Sequence, residues 1–490
     1  MRRMLILTLI LSLLQPALLS TAMAETYPVA YGNVDEGIGF MLLIDDDGTP
    51  LTPRYAYSNI GAITPEGTPF EDRLYSATTL HPDLTGLVPD EYGWYNADTR
   101  RTALMNAQGE LLTDFDYSYI YYEEAGNVVI TFTPDGCCGV LSRTGEVLVE
   151  PVYGAVTSNG EGGYLAVKTG EGAPDDEGPY PIVCITPDGA TLPTGWHSEI
   201  SSIDAFRNGY CILNWLEEES GAGSVFVDAQ GSQQFYHSFY SARDFLGNLA
   251  PVCRNEFGGT GLMDRRGRLV VPAVYGDIYT YGTDEDGIFV GTLRDGFALI
   301  DPMTGAVIRE EHFPEEPDYV SCWSIGGRML VVSDGENDFI YDFDGRPLPA
   351  VNDYSVNGWF GTTDATLDRV LLFSGEYPYY RYAVANLDGE IVSKDFQDIY
   401  GGIWRDGEGR LVFVTQDYLE DEEGDPYIDW SSRRLGVCDQ DGNTLLEARY
   451  DDIEVLSLDR YWVRRGTRSG LIDGTGKWLY TIEDYEYLMD

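Results

Sequence analysis

Short runs of apolar residues recur along this chain, and polar residues ending in a glycine part each pair of runs. The clearest copy is GLMDRRGRLVVPAVYGDI, residues 261–278. Its pattern predicts a strand over Gly261–Asp264, a turn at Arg265, Arg266 and Gly267, and a return strand over Arg268–Val271. Pro272 ends the ladder, because it has no N–H to donate. Tyr275 and Ile278 then return apolar side chains toward a core.

The same pattern centres on Gly48, Gly109, Gly145, Gly189, Gly231, Gly267, Gly305, Gly345, Gly389, Gly442 and Gly476, most of them spaced by roughly 34 to 44 residues. Each glycine supplies the positive φ of a tight hairpin turn. An aromatic anchor follows at Tyr117, Tyr153, Tyr275, Phe396 and Tyr450, with Ile or Val three residues later. Between hairpins lie alternating apolar stretches such as GGYLAVKTG (162–170) and GIFVGTLRDG (287–296). One period thus holds three or four short strands, the content of a propeller blade. Amphipathic windows at helical spacing are missing beyond the N-terminal segment, so an all-β fold of repeated hairpins and meanders is expected. Eleven copies exceed the usual roughly four to eight blades of one propeller. Two propellers or an open β-repeat array follow, with propeller-like closure favoured because it protects strand edges. Division into halves 25–240 and 241–490 matches that count.

Four copies carry a resemblance. Gly139, Gly261, Gly436 and Gly470 open an apolar strand, and Tyr153, Tyr275 and Tyr450 close three of the units. In this the chain resembles the bacterial WG-repeat proteins, although Cys138, Thr260, Leu435 and Ser469 stand where that family has tryptophan. The resemblance implies an interaction-type repeat protein and supplies no catalytic residues.

Charge and chemistry narrow the picture. Residues 1–24 read as a secretory signal peptide: Arg2 and Arg3, an apolar run, then Ala22-Met23-Ala24 before Glu25. Its removal takes two arginines and no acid, so the net charge goes from -50 to -52. Such a field repels nucleic acid and anionic lipid and favours cations. No membrane insertion after cleavage is expected, and localisation is secreted, extracellular or at the cell envelope. The 43% of hydrophobic residues argue for a folded chain. Seven cysteines, an odd number, include Cys138, Cys184, Cys253 and Cys438 inside expected strands, where buried thiols are expected.

No metal-spaced histidines, HExxH, GxSxG or phosphate loop occurs. No cofactor is expected, although acidic turns suit calcium. Asp421, Glu423, Asp425 and Asp429 form the densest candidate set, and turn-forming Asp and Gly are the plainer explanation. Candidate ligand-surface aromatics are Trp359, Trp404 and Trp430 with Tyr377, Tyr379 and Tyr380 of EYPYYRY, because amphipathic rings suit glycans and peptides. The expectation is a secreted, non-catalytic repeat protein that binds a protein or cell-wall glycan. The alternative is an extracellular glycan-active hydrolase on a propeller scaffold, which requires two carboxyls across one cleft.

Overall fold

A computed structural model describes residues 25–483 apart from 34–37, 55, 66, 81–99, 169–179, 199–202, 204, 218–220, 257, 285–286, 314–319, 326–328, 334–337, 348–354, 357–368, 387, 389, 406–407 and 422. The signal-peptide reading of residues 1–24 and Trp359 lie outside the described residues. Within them the chain is all-β, and every sheet is an antiparallel meander of consecutive strands. A single 3-10 turn, Phe70–Asp72, is the one helical element among the described residues.

Among the described residues, eleven sheets follow one another in chain order, at 26–45, 59–106, 119–153, 155–198, 211–239, 241–275, 278–312, 321–342, 355–386, 398–450 and 452–483. Six have four strands. In others an irregular outer strand is marked only by isolated pairs, such as Met41 with Tyr57 and Thr102 with Tyr117.

The turns explain both the repeated glycine and much of the acidity. Asp264 Oδ1 accepts the backbone N–H groups of Arg266 and Arg268, and Gly267 has φ of 77°. The same aspartate turn is built at Asp45, Asp228, Asp421, Asp439 and Asp473, with asparagine doing the work at Asn106 and Asn386. A short carboxylate that satisfies two amides of its own turn pre-shapes the hairpin.

Side chains alternate between two neighbours. Ile288 and Val290 pack toward the eighth sheet, while Phe289 packs toward the sixth. Middle strands are therefore buried on both faces and read as unbroken apolar runs, where the sequence suggested alternation. Outer strands keep the alternation, as Leu269–Tyr275 does with only Val271 and Tyr275 buried. The anchors behave as expected: Tyr275 packs with Ile278 and Phe289, and Tyr450 is 1% exposed.

Each pair of consecutive sheets shares one apolar cluster, and the series closes on itself. Tyr27, Val29 and Leu42 of the first sheet pack with Trp462, Leu471 and Ile482 of the eleventh. Trp462 Nε1 donates to Ala30 O at 2.6 Å, Arg460 Nε donates to Asp46 O at 2.9 Å, and Arg54 donates to the Tyr480 hydroxyl at 2.8 Å. The meanders thus form one propeller-like cycle of eleven sheets. The position 240 used to divide the chain falls between the fifth and sixth sheets, where Ile212, Phe226, Phe239, Ala250, Val252 and Met263 share a cluster. No disulfide joins any two of the seven cysteines among the described residues.

Candidate functional site

The tenth sheet departs from the common plan. Its central hairpin, Glu408–Glu420 with Pro426–Asp439, has 13- and 14-residue strands where most others have four to eight. Up to Thr415, which pairs with Arg434, it lies among flanking strands. Beyond a register shift, Asp417 to Glu420 pair only with Pro426 to Asp429, so the tip continues as a two-stranded arm. Gln397 clamps the root: its amide donates to Gln416 O at 2.8 Å and accepts Gln416 N–H at 2.9 Å.

Against this arm rests the loop between strands Arg369–Ser374 and Arg381–Asn386. Tyr380 is the loop's anchor, its ring 5.2 Å from Phe373. Tyr379 instead turns outward and meets Tyr418 of the arm, with ring centroids 4.9 Å apart. Tyr377 and Tyr379 are 55% and 56% exposed, and Trp430 is 64% exposed. Arg433 lies 5.5 Å over the Trp430 ring and pairs with Asp398 at 3.0 Å. Burial raises the Asp398 carboxyl above its usual range, and the Arg433 charge opposes that rise. A fixed guanidinium behind the indole orients it while leaving its other face open.

Of the sequence-predicted aromatics, Tyr377, Tyr379 and Trp430 are thus at the surface and Tyr380 supports them. Trp404 sits in strand Asp398–Arg405, paired with Gly409, away from the tip. Sequence reasoning missed Tyr418 and the exposed Leu419 and Tyr427. The aspartate turn at Asp421 with Gly424 matches the other hairpins, within a stretch dominated by acidic residues.

The carboxylates at the tip divide in two. Asp421, Glu423 and Asp425 place oxygens within 4.8 Å of one another, all exposed, whereas Asp429 turns to the hydroxyl and N–H of Ser431. Asp421 Oδ1 already accepts two turn amides.

No curated protein matches this chain. Among solved structures it is similar to a eukaryotic initiation factor at 9% identity, covering 78% of this chain and 94% of that one, with a TM-score of 0.39. It is also similar to BamB from Moraxella catarrhalis at 14% identity, 75% and 95% coverage and a TM-score of 0.30. For Hsv2p of Kluyveromyces lactis the values are 9%, 64%, 96% and 0.30. The WG containing repeat matches at residues 139–171 and 436–466. Each match runs from the third strand of one sheet to the second strand of the next. At these two units the chain carries the WG containing repeat.

Proposed function

We propose that the protein is a secreted, non-catalytic repeat protein that binds a cell-wall glycan, and that its binding surface is the aromatic ledge on the ninth and tenth sheets. The observation that supports this reading is the pairing of Tyr379 with Tyr418 of the hairpin that also carries the exposed Trp430. Flat apolar rings with polar edges suit the CH faces of a sugar, and exposed carboxylates such as Asp417 and Glu376 offer acceptors to its hydroxyls. Rigid attachment favours the ledge as a docking element, since the ring anchors both of its parts.

Co-sedimentation of residues 25–490 with insoluble cell-wall polysaccharide tests this, with released sugar assayed in the supernatant. Retention on the polysaccharide is expected, weakened about three- to tenfold by either Trp430→Ala or Tyr379→Ala, the loss of one stacking contact. Folding should be unaffected, since both side chains are exposed. Retention unchanged in both variants would remove the ledge from the reading. Released sugar would sink the non-catalytic assignment and favour the hydrolase.

A further inference from the structure

A second hollow lies far along the chain from the ledge. It has a volume of about 900 Å³, within the roughly 300–1,000 Å³ of small-molecule sites. Tyr121, Phe206 and Leu246 are among its apolar walls, and four carboxylates, Glu123, Glu124, Asp244 and Asp284, line it against a single guanidinium, Arg207. Arg207 is largely exposed and 3.6 Å from Asp244.

Glu123 is the unusual member. It ends strand Tyr119–Glu123 and is only 7% exposed. Its oxygens accept the Thr157 hydroxyl and the Ser158 N–H, each at 2.7 Å, which fixes the carboxylate on the wall. Burial pushes its carboxyl above the ordinary range, against the two hydrogen bonds it accepts. Burying a carboxylate is costly, and a cation entering the hollow relieves that cost.

The form of that cation follows from spacing. The carboxylates come from separate elements: the end of one strand, the turn after Ser241–Ala242, and the turn after Ile278–Tyr281. Among the described residues only Asp421, Glu423 and Asp425 converge closely enough to share one metal ion. The hollow therefore suits several separated positive charges joined by an apolar stem. We propose that it binds a linear aliphatic polyamine, with its ammonium groups shared among Glu123, Glu124, Asp244 and Asp284 and methylenes along Tyr121, Phe206 and Leu246.

Calorimetry of residues 25–490 with spermidine at physiological ionic strength tests the site, with calcium as a second probe. One saturable spermidine site is expected, with calcium failing to displace it at equal concentration. The doubly substituted Glu124→Gln, Asp284→Asn protein should bind about tenfold more weakly, two partly exposed charge contacts being removed. Asn at 284 keeps the oxygen that accepts Gly247 N–H at 2.8 Å. Should the double variant melt early, Glu124→Gln alone carries the test, because Glu124 is exposed. Asp421→Asn with Asp425→Asn removes the same charge from the distant arm and should leave affinity unchanged. Equal weakening in both doubles, displacement by calcium, or no saturable heat would overturn the proposal.

Discussion

Gly139, Gly261 and Gly436 each face an irregular stretch of the adjoining outer strand. Cys138 pairs with Tyr153 while Val140 pairs with Val149, and equivalent skips flank the other two. The extra outer-strand backbone folds over the glycine, so an added Cβ would stand 2.8 Å from Pro151 N, 2.6 Å from Val271 O or 2.6 Å from Leu446 O. The repeat keeps glycine here for close approach and not for a turn. Gly436→Ala is expected to cost roughly 1–3 kcal/mol in denaturant unfolding. Gly61→Ala, where the nearest atom is Ser76 Oγ at 3.4 Å, should cost about 0.5 kcal/mol or less. Glu454 offers a test by pH. Crowding by the fold, then the Asp452 charge, pushes its carboxyl up to about 7 although one edge reaches solvent. The folded state thus holds this proton more tightly than the unfolded chain. Its contribution to stability is present at low pH and is lost as pH rises through about 7. Glu454→Gln should therefore melt closer to wild type at acid pH and above it at alkaline pH. A difference that does not change with pH would contradict this.

Hairpins were legible in the sequence because their chemistry is local. The aspartate, the glycine three residues on and the flanking apolar pair lie within one turn, so repetition exposes them even where identity fades. The tyrosine anchors were legible for the same reason: Tyr275 must fall beside Ile278 and over Gly291, which has no Cβ to obstruct the ring. Burial on both faces was less visible. A run such as Leu411–Val414 looks alike whether one or two neighbours cover it, and only the clusters show Leu411 and Phe413 facing one way and Val412 and Val414 the other. The arm was disguised by its charge, since its acids outnumber its rings. The hollow could not be read at all. Its walls come from residues 121 to 284, and no sequence spacing relates Glu123 to Asp284.

Among the described residues no strand of the first sheet pairs with one of the last, each sheet being made from one continuous stretch of chain. The edge of strand Thr26–Asn33 away from Ile38–Asp45 is blunted accordingly. Pro28 removes a donor, Tyr75 donates its hydroxyl to Thr26 O at 3.2 Å, and Trp462 occupies Ala30 O. Since Thr26 and Glu483 lie in touching sheets, a circular permutant joined there by a short flexible linker and opened at the Gly424 turn should fold, with one cooperative melt within a few degrees of wild type. Early or two-step melting would show that the seam needs the native ends.

The half-sheet offset of the sequence unit also has a consequence for how such a molecule grows. Duplicating residues 139–171 in tandem would insert the outer half of one sheet and the inner half of the next, together one complete sheet. Strand Tyr164–Val167 would pair with a copy of Cys138–Leu141 in place of its present partner Tyr180–Ile185, and the seam between the first and last sheets would stay as it is. Sheet number is thus a quantity that gene duplication can change one step at a time, with the full circle shared among one more member.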